Sequence, residues 1–137
     1  MAFITKDDFN TIIRAKVLDD VIAFDDSKLE ATTNEVVGFV SSYLASRYDT
    51  DAIFAATGED RHATVLMICK DIALYNLHCN INPRKIPKLR YDRYQDAISW
   101  LEKVSKQEIN PPGLPLPADG SKSYIVFGGN TKRDNQY

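Results

Sequence analysis

The side chains that could carry out catalysis or bind a metal ion are few in this sequence, and they are widely spaced. The only two histidines, His62 and His78, are sixteen residues apart on one predicted helix, which separates them by about 24 Å along its axis. They cannot reach the same metal ion within one chain. His78 and Cys79 alone do not make a zinc site, because such sites use three or four protein ligands. The sequence therefore predicts no metal ion and no cofactor.

Three pairs of adjacent aspartates are the other candidates for a metal site or for acid–base chemistry, at positions 7/8, 19/20 and 25/26. Neighbouring residues on a helix do not face each other, and the sequence lacks the glycine and twelfth-position glutamate of a calcium loop. It also lacks a phosphate-binding glycine loop and the GxSxG elbow of hydrolases. These aspartates are best explained as solvated caps and loops, so the sequence predicts a protein that is not an enzyme. An enzyme whose ligands meet across a subunit interface stays an alternative.

Length and composition are typical of one globular domain. The chain has 137 residues, 44% of them hydrophobic, and a formal net charge of -2, a balance that indicates neither a nucleic acid nor a membrane surface as partner. The charge is unevenly distributed, since residues 1–60 carry 5 Lys/Arg and 12 Asp/Glu, whereas residues 80–106 carry 7 and 3. Two solvated faces explain this pattern, and so does contact between the acidic half of one copy and the basic half of another.

Cysteine use and hydropathy predict a protein that does not contact a membrane and that stays in a cytoplasm or leaves it by a route other than secretion. Cys69 and Cys79 are ten residues apart on one predicted helix, which places them about 15 Å apart, too far for a disulfide. They are interpreted as small buried hydrophobic residues in a reducing compartment. No apolar run approaches the roughly 20 residues needed to span a bilayer, and the opening MAFITKDDF becomes acidic at once, unlike a signal peptide.

The spacing of apolar residues predicts a mainly α fold, a small bundle of four to five helices followed by an extended C-terminal arm that carries a short β-strand. Residues 1–110 form the helical core and residues 111–137 the arm. Thr5 is predicted to cap a short first helix and Ser27 the second, where Glu30 completes a capping box. The longer helices are predicted to span roughly residues 27–48, 61–79 and 87–107, with a loop at 49–60 for which one short turn of helix is the alternative. The buried stripe of the last helix is predicted to consist of Leu89, Tyr94, Ala97, Ile98, Leu101 and Val104.

A basic and aromatic stretch, NPRKIPKLRYDRY, opens the last predicted helix. Its cations could contact phosphates while its tyrosines stack on bases, as in proteins that bind nucleic acids without reading their sequence. A solvated helix start that pairs with acidic neighbours explains the same residues. The candidates for a subunit interface or for contact with passing DNA are Arg84, Lys85, Lys88 and Arg90.

The chain ends in YIVFGGNTKRDNQY, in which residues 123–127 are predicted to form a β-strand that two glycines end. A single strand after a proline-rich spacer cannot satisfy its own backbone hydrogen bonds, so it must pair with another sheet. We expect it to pair with another chain, either a partner protein or a neighbouring copy of this one, and a strand folded back on its own chain is the alternative. The predicted partner-binding residues are Tyr124, Ile125, Val126, Phe127, Gly128, Gly129, Asn130, Lys132, Arg133 and Tyr137.

Three clusters, YLASRYDT, CKDIALYNL and RYDRYQDAISWLEKV, occur in this order along the chain. Their order and spacing resemble the head–tail connector (adaptor) proteins of tailed bacteriophages, especially the Mu-like prophage branch, over roughly residues 3–112. The loop at 49–60 is less rich in proline, and the arm is longer, than in compact members of that family. The matching residues are Tyr43, Leu44, Arg47 and Tyr48, then Asp71, Ile72, Ala73, Tyr75 and Leu77, then Arg93, Tyr94, Ala97, Trp100 and Leu101, with Arg90 and Tyr91 as an alternative register for the first two of the last cluster.

The resemblance implies a structural role in the neck of the virion, without catalysis. Such proteins form a ring, usually of twelve copies, beneath the portal protein. The ring extends the DNA channel, contacts the passing DNA without sequence preference and docks the next neck or tail protein. The alternative is a small phage DNA-binding or packaging-accessory protein, although no helix-turn-helix with a polar recognition helix is evident.

One buried ion pair is also predicted. Asp71 is one of two charges in an otherwise apolar helical stretch, and a buried carboxylate needs a cationic partner. Arg47 and Arg93 are the two candidates for this pair, and both are interpreted as parts of the scaffold rather than of a site.

Overall fold

A computed structural model describes residues 2–81 and 83–117, which are built from helices joined by short turns. The prediction of a mainly α fold is confirmed for this part of the chain, which contains no strand. The strand predicted at residues 123–127 lies outside the described residues. The helices are α1 (Ala15–Val21), α2 (Asp26–Leu44), α3 (Thr50–Ala55), α4 (Ala63–Ile81) and α5 (Lys88–Ser105), with 3-10 helices at Lys6–Thr11 and Gly58–Asp60.

Helix α4 lies at the centre of the fold, where it packs against α1, α2 and α5. Its sequence is apolar on nearly every side, and a helix of that kind is stable only when neighbours cover it all round. Nine of its residues are buried, and two of them, Lys70 and Asp71, are charged. The core around α4 therefore contains polar groups whose partners must come from other elements.

The prediction that Ser27 caps α2 is wrong. The helix begins one residue earlier, and the N-cap is Asp25, whose carboxylate accepts a hydrogen bond from the Ser27 amide at 3.0 Å. An aspartate at this position both satisfies a free amide and interacts favourably with the helix dipole. The capping pattern instead occurs at Thr5, whose amide and hydroxyl both donate to Asp8, at 2.7 and 3.0 Å.

Helix α2 ends at Leu44, and not at residue 47 or 48 as its apolar spacing suggested. Tyr48 is buried, but it reaches the core from the turn that follows the helix. The segment predicted as a loop at 49–60 contains α3 and a 3-10 helix. Asp49 caps α3, since its side chain accepts a hydrogen bond from the amide of Ala52 at 3.1 Å.

The predicted buried stripe of α5 is wrong at Leu89, which is 60% exposed, and Tyr94 and Ile98 are only partly buried. Ala97, Leu101 and Val104 are fully buried, and they follow one another at steps of four and three. Leu89 stands five residues before Tyr94, which rotates it by about 140° around the helix axis. It therefore projects into solvent from the first turn of α5.

Candidate interaction surfaces

Asp71 of α4 is held by Arg93 of α5. The Nε and Nη2 atoms of Arg93 donate to the two carboxylate oxygens of Asp71 at 3.1 and 3.0 Å, a bidentate ion pair. The Asp71 side chain is only 4% exposed, and its hydrogen bond raises the pKa of Arg93. The pair joins α4 to α5. Because each of the two side chains is already bound by the other, the pair belongs to the scaffold.

Arg47, the other candidate for pairing with Asp71, lies elsewhere and holds the C-terminal end of α5. Its Nη1 atom donates to the carbonyl of Val104 at 2.6 Å and to that of Ile109 at 3.1 Å, and its Nη2 atom donates to the Asn110 side chain. The last carbonyls of a helix have no partner within the helix. A cation at this end satisfies them and interacts favourably with the helix dipole.

Replacement of Arg47 by alanine is expected to lower the free energy of unfolding by about 2 kcal/mol, because two carbonyls lose a charged donor. Chemical denaturation followed by circular dichroism measures the change. The Arg47→Lys variant is the matched control, and it should recover only part of the loss, since an ammonium group lacks the forked geometry. An unchanged unfolding midpoint for Arg47→Ala would contradict a capping role.

The N-terminal segment is attached to α4 by charged groups that the sequence did not reveal. Arg61 donates to both carboxylate oxygens of Asp8, at 2.6 and 3.0 Å, and to the carbonyl of Phe3 at 2.9 Å. The Lys70 amine donates to the carbonyl of Asp8 and the hydroxyl of Thr11. The capping pattern points to Asp8, but its partner is more than fifty residues away in sequence. Local spacing therefore carries no signal for this contact.

Burial and partners shift the pKa values of these groups in different ways. Burial alone would raise the pKa of Asp8, but hydrogen bonds from Arg61 and Thr5 outweigh it and hold this pKa below its usual value. Burial lowers the pKa of Lys70, against the attraction of Asp8 and Asp71. These groups are saturated by internal contacts, so they stabilise the fold rather than form an open site.

The acidic turn, defined as residues 19–26, joins α1 to α2 and carries two aspartate pairs. Lys6 contacts Asp19 at 2.7 Å and Asp26 at 2.9 Å, so one cation serves two of the carboxylates. Asp20 and Asp25 are exposed, and Asp25 also caps α2. The turn therefore presents a surplus of negative charge to solvent.

Phe24, within the acidic turn, has an unusual combination of exposure and backbone conformation. Its side chain is 73% exposed, and both Ala23 and Phe24 have positive φ values, 55° and 59°. The turn is a Schellman motif, in which the Phe24 amide donates to the Asp19 carbonyl at 2.8 Å and the Ala23 amide to that of Asp20 at 3.2 Å. Glycine is the usual residue where Ala23 stands. The aspartate pairs of this turn were candidates from the sequence alone, but nothing in the pattern marked Phe24.

The basic turn, defined as Ile81 together with residues 83–91, connects α4 to α5. Its four cations differ in whether they have a partner within the described part of the chain. Arg90 is half-buried and donates to the carbonyl of Ile12 at 2.6 Å, and Lys88 pairs with Asp92 at 2.8 Å, whereas Arg84 and Lys85 are exposed. Of the four predicted interface cations, the last two are therefore the ones most available for contact with another molecule.

Large apolar side chains lie exposed beside these cations. Ile81 is 46% exposed, Leu89 60% and Tyr91 47%. Tyr91 lies against Tyr75, with 5.9 Å between ring centroids, and Tyr75 in turn stacks on Tyr94 at 4.2 Å. The exposed tyrosine is thus positioned by an aromatic cluster. The basic turn combines positive charge with apolar surface on well-positioned side chains.

His62 and Cys69 are both used within the fold. His62 is half-buried, donates from Nε2 to the Pro112 carbonyl at 2.8 Å and accepts at Nδ1 from the Val65 amide at 3.3 Å. Burial raises the pKa of the Cys69 thiol to about 12, which makes it unreactive. Within residues 2–81 and 83–117, no three side chains of His, Cys, Asp or Glu come together in a way that would hold a metal ion.

The first seven residues of the predicted arm, 111–117, contact the helical core. Leu114 is buried, and the Pro115 carbonyl accepts a hydrogen bond from the amide of Asp49 at 2.9 Å. The predicted partner-binding residues lie outside the described part of the chain. They are Tyr124, Ile125, Val126, Phe127, Gly128, Gly129, Asn130, Lys132, Arg133 and Tyr137.

None of the helices in the described ranges combines the length and the apolar character needed to cross a bilayer. Comparison with models of protein families gives a match. The family model described as Bacteriophage Mu, Gp36 matches residues 3–122, which is most of the chain. No curated protein and no solved structure matches this chain.

Proposed function

Because the chain belongs to the bacteriophage Mu Gp36 family, we propose that it is a structural protein of the virion, a head–tail connector. In this role copies of the protein form a ring beneath the portal protein. The resemblance of the three sequence clusters to connector proteins implies twelve copies in the ring. The ring extends the channel through which DNA passes and docks the next neck or tail protein. The protein acts in the neck of the virion and is present in the host cytoplasm during assembly.

The observation that carries this proposal is the separation of charge between two exposed turns. The acidic turn presents carboxylates around Phe24, and the basic turn presents Arg84 and Lys85 around Leu89 and Tyr91. Among the described residues, no ion pair joins the two turns within one chain. A ring subunit needs two different surfaces that are complementary to each other, and this chain presents such a pair.

The internal use of the buried charges also favours a structural role. Asp8, Lys70 and Asp71 each contact partners within the chain, and the Cys69 thiol is fully buried. A catalytic group must reach its substrate with a suitable pKa, whereas these groups hold helices together. We therefore propose that the protein is not an enzyme.

Mixing the purified protein with the portal protein tests the proposed role. Ring-shaped particles in negative-stain images, with a mass equal to the portal and a ring of this protein, are expected. Because residues 123–127 are proposed to add a strand to the portal, a variant lacking residues 122–137 should keep its helical circular dichroism and lose portal binding. If the full chain forms no complex with the portal, the connector role is wrong. A complex retained by the shortened variant overturns only the role of the arm.

A further inference from the structure

We propose that the acidic turn of one copy docks on the basic turn of a second copy, with Phe24 packed against Leu89 and Tyr91. The inference deepens the proposed function by naming the surfaces that join neighbouring subunits. It rests on that function only for the closure of the contact into a ring. The contact between two copies can be measured without the portal, so the two proposals can fail separately.

The backbone at Phe24 is the first reason for assigning a contact to the acidic turn. Two consecutive residues other than glycine have left-handed backbone conformations there, which disfavours the fold at both positions. In most Schellman turns the apolar residue at the position of Phe24 packs on its own helix. Here that ring is 73% exposed, so the strain presents an aromatic side chain to solvent. Strain combined with such exposure points to a surface that another molecule covers.

The composition of the two turns is the second reason. The acidic turn contains four carboxylates and one exposed aromatic ring, whereas the basic turn contains four cations and three exposed apolar side chains. Aromatic rings at the centre of a contact, with opposite charges at its rim, are what a specific protein–protein interface requires. Each turn supplies what the other lacks, so the occupant that fits both is a second copy of this chain.

The contact must join the acidic turn of one copy to the basic turn of another, rather than two identical turns. Two acidic turns facing each other would bring like charges together, and the same holds for two basic turns. When the acidic turn of one copy meets the basic turn of the next, the first copy keeps its basic turn free and the second keeps its acidic turn free. Such contacts continue until they close as a ring or extend as a filament.

DNA is the other molecule that the basic turn could contact, and two observations favour a protein. Phosphates bind cations and bases stack on aromatic rings, but the aliphatic Ile81 and Leu89 serve neither contact and are exposed beside Arg84 and Lys85. Two of the four cations are also held within the chain, Arg90 by the Ile12 carbonyl and Lys88 by Asp92. DNA binding that depends on Lys85, in a protein that does not self-associate, would assign the basic turn to DNA and overturn the inference.

Charge reversal at one exposed residue in each turn tests the contact. Sedimentation velocity of the full chain, at protein concentrations up to about 1 mM and at low salt, should show self-association with a Kd of about 1 mM or lower. Asp20→Lys and Lys85→Glu should each weaken association at least tenfold, and added salt should weaken that of the unmodified chain. An equimolar mixture of the two variants should associate again, because both of its contacts then pair opposite charges. A chain that stays monomeric, or a mixture that does not recover, overturns the inference.

Substitution of Phe24 by glycine separates contact from folding. Glycine relieves the left-handed backbone, so the melting temperature should stay the same or rise, while association weakens at least tenfold through loss of the aromatic contact. The matched control is Leu116→Ser, which removes another side chain that is 73% exposed and should leave association unchanged. Association that survives Phe24→Gly would show that the acidic turn is not the docking element.

Discussion

Replacement of Arg61 by alanine is expected to lower the free energy of unfolding by about 4 kcal/mol at neutral pH. The change leaves Asp8 with a side chain only 13% exposed and without its bidentate partner. It also removes the donor to the carbonyls of Phe3 and Gly58. The N-terminal segment should then detach from α4 more easily. Urea denaturation followed by circular dichroism measures the loss, and hydrogen exchange of residues 3–12 should report the local detachment.

The loss of stability in Arg61→Ala should depend on pH. Because the folded-state pKa of Asp8 is held below its ordinary value, the pair stabilises the protein fully above the unfolded pKa of about 3.9. This stability disappears as the pH falls through the lower, folded pKa. In Arg61→Ala the carboxyl of Asp8 becomes protonated more readily because of its burial. The difference between the two proteins should therefore shrink below about pH 4, and a difference that is independent of pH would contradict the ion-pair explanation.

Replacement of Arg93 by alanine is expected to lower the free energy of unfolding by about 3 kcal/mol. The physical reason is the same, since Asp71 is left 4% exposed without a partner. The expected loss lies at the lower end of the range for buried pairs, because the Arg93 side chain is 39% exposed. Water can therefore partly replace the lost guanidinium group. Lys88→Ala breaks an exposed ion pair one turn earlier in α5, so it is the matched control and should have a small effect.

A double-mutant cycle distinguishes the ion pair from the loss of packing. In an Asp71→Leu background, Arg93→Ala should cost much less, because no buried charge is then left without a partner. Equal losses in the two backgrounds would indicate that Arg93 acts through the packing of its side chain against α4. The predicted pairing of Asp71 would then be of little energetic importance.

Several elements follow from local sequence, because the forces that specify them act between near neighbours. The all-round apolar character of residues 63–81 places α4 at the centre of any bundle that this chain forms. Capping by Thr5 depends on one residue and its next three or four neighbours. The start of α2 was misplaced because three residues in a row, Asp25, Asp26 and Ser27, are all good caps. Local chemistry does not choose between them.

The partners of the charged groups could not be predicted, because they are far apart in sequence. Arg47 and Arg93 were equally good candidates for Asp71, and only the packing of α4 on α5 selects Arg93. Arg47 reaches carbonyls that become its partners only after α5 has ended in a turn beside it.

The sequence by itself determined a mainly helical protein with an apolar central helix, an uneven distribution of charge and the motifs of a phage family. These features depend on composition, on helical periodicity and on the order of short clusters, all of which are present in the unfolded chain. Only the tertiary structure decided which arginine neutralises which carboxylate, and that Phe24 lies exposed in a strained turn. Those outcomes depend on contacts between residues distant in sequence and on the backbone conformation of one turn, and both arise only when the helices pack.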